Sequence, residues 1–271
     1  MTCRCRAAGK RAVSGPICQA FSPQLIAAEQ LPYPDSLPNV HGIIRTVNPQ
    51  LLPVVRQLDA RFTDLIYLRC QELLKQKEED FWYHNIFIGL AMQTLKAQYH
   101  LKKAYCPPND ELCYLAWACR MLLELKVWTL YVIASEQNAK RFSQDQFVDG
   151  NTALQAVQRA LAAIPPAPGT DEVQRTVAEM ESQLKVKMDE AGVSYKDPFL
   201  SIKRVAKEVG LEVEYNVANV MFSKFVHATA FSVLVSVDTV DYMFVMGAQN
   251  AFFILDTLSA HLRKLGLPTF D

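Results

Sequence analysis

Arg120 and Glu124 are two charges four residues apart in a stretch, Leu112 to Ala134, that is otherwise almost wholly apolar: LCYLAWACRMLLELKVWTLYVIA. Lys126 is the third charge there. At about 100° per residue, Cys113, Trp117, Arg120, Glu124 and Tyr131 fall on one side of a helix, and Lys126 points roughly the other way. The apolar residues around Arg120 and Glu124 predict a buried pair. A buried guanidinium stripped of its partner would cost about 3–5 kcal/mol, so Arg120 needs Glu124 or another acceptor at hand. Such a pair is either a structural clasp or one wall of a functional pocket.

A second polar set lies about a hundred residues further on, in EYNVANVMFSKFVHATAFSVLVSV. Tyr215, Asn219, Ser223 and His227 recur every fourth residue and form a polar stripe on an otherwise apolar helix, with Lys224 beside it. The neutral ring of His227 can both donate and accept, toward Ser223, Arg120, Glu124 or water. In the functional reading the two sets wall one pocket, with His227 within direct or one-water reach of Arg120 or Glu124. The catalytic candidates are then Arg120, Glu124 and His227, and the binding candidates are Tyr215, Asn219, Ser223 and Lys224. In the alternative reading both sets form a buried network that fixes helix register.

The elements that must position these residues read as helices throughout. Residues 1–48 carry recurrent proline and glycine with weak periodicity, which predicts an irregular N-terminal arm. From Pro49 apolar residues recur at helical spacing to about residue 77, and a second helix opens at Glu79 and Asp80 and stops at Pro107 and Pro108. The third helix is capped by Asn109 or Asp110 and runs to about Phe142. A fourth follows Asn151 and ends before Pro165. Thr170 or Asp171 caps a charged fifth helix, a shorter one runs from Asp197 to Gly210, and two long ones span about 213–237 and 239–265. With no alternating β pattern, the fold class is all-α: an antiparallel bundle of about seven to eight helices in a single domain, 49–271.

An apolar helix bearing R-x-x-x-E (Arg120, Glu124), then a proline-containing linker, then a late helix with Tyr215 and FSKFVHAT (Phe222 to Thr229) resembles a bacterial all-helical family. It is catalogued as domain-of-unknown-function family fifty-six seventy-seven, and the resemblance runs over about residues 50 to 260. It implies a helical bundle of unassigned activity with Arg120, Glu124, Ser223 and His227 at the matching motif positions. That family's histidine is often followed by proline, where this chain has Ala228.

A broader likeness is to the helical nuclease-toxin superfamily called HEPN, whose site looks like an arginine, four to six residues, then a histidine. The positions at that spacing before His227 are Val220, Met221 and Phe222, so an arginine would have to come from Arg120 through space or be replaced by Lys224. That likeness implies metal-independent RNA cleavage of toxin or phage-defence type. His227 would be the base and Arg120 the cation facing the phosphorane.

Composition limits the rest. Lys plus Arg and Asp plus Glu both total 28, so no bulk charge recruits nucleic acid or an acidic membrane. Seven cysteines are an odd number, and three of the last four sit in helix-like apolar contexts, which predicts free thiols and a cytoplasmic, reducing setting. Cys3 and Cys5 form a CxC with no second pair, His84 and His100 lack an acidic ligand at metal spacing, and no paired E-x-x-H occurs. No metal or cofactor is therefore expected. G-x-S-x-G, Walker and GxGxxG motifs are absent, and Trp82 and Trp117 read as core.

Arg4, Arg6, Lys10 and Arg11 precede no signal-peptide core, which leaves a disordered lead or a transit peptide. Tyr242 to Leu255 is shorter than the roughly 20 residues of a membrane span, so no membrane association is predicted. The expected function is binding of a partner protein or small ligand at the Arg/Glu/His cluster, with RNA cleavage as the alternative and self-association possible.

Overall fold

The computed structural model describes residues 48–61, 64–75, 82–106, 112–163, 165, 169–194, 200–226 and 237–270. Among them there is no strand, and the architecture is an all-α bundle. It opens on a 3₁₀ turn, Pro49–Leu51, whose first turn is capped by Asn48: the side-chain oxygen accepts from the Gln50 N–H at 3.0 Å. The helices follow as α1 (Leu52–Arg61), α2 (Asp64–Lys75), α3 (Trp82–Tyr105), α4 (Leu112–Ala134) and α5 (Glu136–Ala163). After these come α6 (Thr170–Ala191), α7 (Ile202–Glu208), α8 (Glu212–Val226) and α9 (Val237–Lys264).

Several boundaries differ from the sequence reading. The helix expected over 49–77 is a 3₁₀ turn and two helices. The third helix ends at Ala134 rather than near Phe142, and α5 runs unbroken through Asn151, where a new start was expected. Ser135 explains the break. Its hydroxyl accepts from the Asn138 N–H at 3.1 Å, capping α5, while the Asn138 side chain donates to the Tyr131 carbonyl at 3.1 Å and satisfies an end of α4. Asn151 caps nothing and is buried inside α5. Gly169, in the left-handed conformation, occupies the N-cap of α6 in place of Thr170 or Asp171. The expected caps Asn109 and Asp110, and the expected start at Asp197, lie outside the described residues.

The core is built on α3, α4 and α9. Tyr114 on α4 meets His100 on α3, so these two helices run antiparallel. Tyr105 of α3 stacks on Phe244 of α9 (3.9 Å between centroids), and Phe87 lies near His261, which makes α3 and α9 antiparallel as well. The α4 and α9 helices are therefore parallel, and they approach closely at Gly247: a Cβ there would stand 2.6 Å from Leu101 and 3.1 Å from Cys119 Sγ.

Further packing comes from α8 along α4, with α7 and α5 closing over the C-terminal part of α4. The charged α6 packs against α5 through Val177 and Met188. Enclosed on several sides, α4 needs apolar residues almost all the way round, and its sequence supplies them.

Candidate functional site

Among the described residues no helix covers one lengthwise strip of α4. Cys113, Tyr114 and Trp117 are exposed on it, and Arg120, Met121, Glu124 and Trp128 are half-buried. Arg120 Nε donates to Glu124 Oε1 at 3.0 Å, so the pair forms as its spacing predicted. Its burial does not. The two side chains are 36 % and 31 % exposed, and an i,i+4 ion pair in that setting is worth about 1 kcal/mol or less.

The enclosed charge is instead Lys126, 15 % exposed, which donates to Glu214 of α8 at 2.8 Å and sits 5.3 Å from the Phe253 ring centroid of α9. The helical wheel grouped Cys113, Trp117, Arg120 and Glu124 correctly but not the direction they face, because cysteine and tryptophan read as apolar wherever they point. Tyr131, on the same side, is buried because α5 and α7 cover that end of α4.

Beside this strip α4 packs against α8, and the line along which they meet is the polar groove. Cys113 Sγ donates to the Val226 carbonyl at 3.6 Å near one end, and the Lys126–Glu214 bridge holds the other, so α4 and α8 run antiparallel. In that register Glu124 faces the level of Tyr215, Arg120 that of Asn219, and Trp117 that of Ser223. Tyr215 is buried, and its phenol is pushed above the usual range, chiefly by that burial. The Glu124 carboxylate adds to the rise and the Arg120 guanidinium opposes it. Asn219, on the same face one turn later, has a buried Oδ1 with no hydrogen-bond partner among the described residues.

Arg120 uses Nε, and Glu124 uses Oε1; among the described residues nothing takes the two Nη groups or Oε2. Along this seam the guanidinium Nη donors, a carboxylate oxygen and a buried amide oxygen are hydrogen-bonding groups without a partner among the described residues.

Of the seven candidates, the structure brings Arg120, Glu124 and Tyr215 together, with Asn219 and half-buried Ser223 following on the same stripe of α8. Lys224 stands opposite Tyr215 on the helix, in line with the exposed Val213, Val217 and Val220. His227 lies outside the described residues.

Residues 117–243 match the model of a family of unknown function (DUF5677). The matched segment starts inside α4 and ends inside α9, so it contains all of α8 together with Arg120 and Glu124 but not Cys113, and it is narrower than about residues 50 to 260. Comparison with curated proteins and with solved structures finds no match.

Sequence reasoning missed a feature at the edge of the matched segment. Trp117, expected in the core, is 39 % exposed, and Trp82 is exposed too. Trp117 stacks on Tyr114 (5.6 Å, 29°), and both rings meet His100 of α3 edge-on at 5.7 and 5.5 Å. The available signal was Trp117 sharing a face with two charges. Among the described residues no group of His, Cys, Asp and Glu could hold a metal ion, and no helix is long and apolar enough to cross a membrane.

Proposed function

We propose that the chain is a binding protein whose recognition site is the groove between α4 and α8, with Arg120, Glu124, Tyr215 and Asn219 as its polar contacts. The observation that carries this reading is the buried Oδ1 of Asn219, without a partner among the described residues, at the level of an ion pair whose remaining hydrogen-bonding groups are unused among the same residues. A buried acceptor without a donor costs roughly 1–3 kcal/mol, and an N–H from a bound group would recover it. Groups that fit are carboxamides, the backbone of a partner chain, or a small molecule presenting N–H and C=O side by side. Cys70, Cys106, Cys113 and Cys119 are free, the state a reducing compartment maintains, and we place the protein in the cytoplasm.

Ligand-observed NMR against small amides and carboxylates tests the groove. Fragments bearing an N–H and a carbonyl are expected to bind, and Asn219→Ala and Arg120→Met are expected to abolish their signals while the fold is retained. Fragment binding that survives both substitutions would place the site elsewhere.

The second reading, metal-independent RNA cleavage, is favoured by the accessibility of Arg120, since a cation that stabilises a phosphorane must reach solvent-borne phosphate. It requires His227 as the base. Mixed RNA shortened by the chain and left intact by His227→Ala is the result it predicts; RNA untouched by the unsubstituted chain contradicts it.

A further inference from the structure

Among the described residues, the surface formed by α3 and α4 beside the groove has a charge pattern unlike that of the whole chain. No acidic residue occurs in α3, which carries Lys96, Lys102 and Lys103, and the one acid of α4 is Glu124, already paired with Arg120. Lys102 is paired with Asp59. Lys96 and Lys103 are exposed, without an ion-pair partner among the described residues, and lie one turn before and one turn after His100 on the same face of α3.

Between and beside them is the ring cluster. Tyr114 and Trp117 stack, His100 meets both edge-on, and Tyr99 meets His100 at 5.5 Å; Tyr99, Tyr114 and Trp117 are 45 %, 39 % and 39 % exposed. The Tyr114 hydroxyl and His100 Nδ1 are 3.3 Å apart, which ties the two helices at this point. Arg120 follows one turn beyond Trp117.

Charge decides what such a surface accepts. Cationic ligands that aromatic rings can hold, such as quaternary ammonium groups, are repelled by Lys96 and Lys103. Protein interface cores are depleted in lysine, which argues against an apolar protein patch. Partly exposed aromatic rings interleaved with cations that have no ion-pair partner among the described residues suit a polyanion whose units carry flat rings. Duplexes already have their bases stacked on one another, so only an unpaired strand offers faces to Tyr114 and Trp117.

We propose that this surface binds single-stranded nucleic acid, with bases stacked on Tyr114 and Trp117 and phosphates held by Lys96 and Lys103. It is distinct from the α4–α8 groove and does not depend on the groove reading, nor on whether the strand is cut.

Fluorescence anisotropy of a labelled uridine dodecamer, titrated with the full chain carrying His227→Ala so that cleavage cannot consume the probe, tests it. Binding is expected, weakened roughly 5- to 100-fold by Trp117→Ala or Tyr114→Ala and largely kept by Trp117→Phe. Lys96→Ala and Lys103→Ala are each expected to lower the salt slope by about 0.7. No binding would overturn the proposal. So would equal affinity for Trp117→Ala, equal affinity for a duplex of the same length, or uridine monophosphate binding as tightly as the dodecamer. Cleavage of the same probe by the chain with His227 intact bears on the ribonuclease reading alone.

Discussion

Replacing Tyr105 by alanine is expected to cost about 3–5 kcal/mol in urea unfolding, the largest single-residue effect the structure implies. The residue is 1 % exposed at the end of α3, its ring lies on Phe244 of α9 with an interplanar angle of 11°, and its hydroxyl donates to Asp241 Oδ1 at 2.8 Å. The other oxygen of Asp241 accepts from the Asn48 side chain at 2.8 Å, so one carboxylate joins α3, α9 and the residue that caps the 3₁₀ turn. Alanine removes the stacked ring, leaves a cavity between two helices and takes a donor from a carboxylate. Tyr105→Phe keeps the ring and is expected to lose about 1.5–3 kcal/mol, the worth of a hydrogen bond to a charged group. A cost below about 1 kcal/mol for the alanine variant would mean that α3 and α9 do not pack at this point.

The same clamp shows what the sequence could and could not convey. Asp241 reads as a first-turn acid, a local role, whereas its partners Tyr105 and Asn48 are brought to it by packing over separations of 136 and 193 residues. The helices were legible because their apolar residues recur at helical spacing and because Pro107, Pro165 and Gly210 mark their ends. The break at Ser135 was not, since Ser135 sits between two runs that are each good helix and only its hydroxyl distinguishes a cap from an interior serine.

At the site, spacing alone placed Arg120 with Glu124, and Tyr215 with Asn219 and Ser223. Whether the first set looks inward or outward depends on which neighbours α4 acquires, and no local pattern contains that. Lys126 illustrates the point. Its side chain looked away from the pair, and that direction turned out to be the interior seam, made tolerable by Glu214 and Phe253.

The central claim is that the Arg120/Glu124 strip of α4 faces outward and presents its polar groups for binding, and two native cysteines on that helix report on it. Cys113 is exposed on the strip one turn before Trp117; Cys119 is fully buried on the far side, and its thiol donates to the Met243 carbonyl at 3.1 Å. Burial pushes the Cys119 thiol far above the usual cysteine range, which the nearby Gly247 backbone only partly offsets, so the reactive thiolate is scarce there as well as inaccessible. The decisive measurement is iodoacetamide labelling of the native chain at pH 8, with each cysteine resolved by peptide mass mapping. Cys113 is expected to react at least about 100-fold faster than Cys119, and Cys119 to become comparable only in denaturant. Native-state labelling of Cys119 at the rate of Cys113, or protection of both, would mean that α4 is turned differently in the bundle and that the strip is not the surface described.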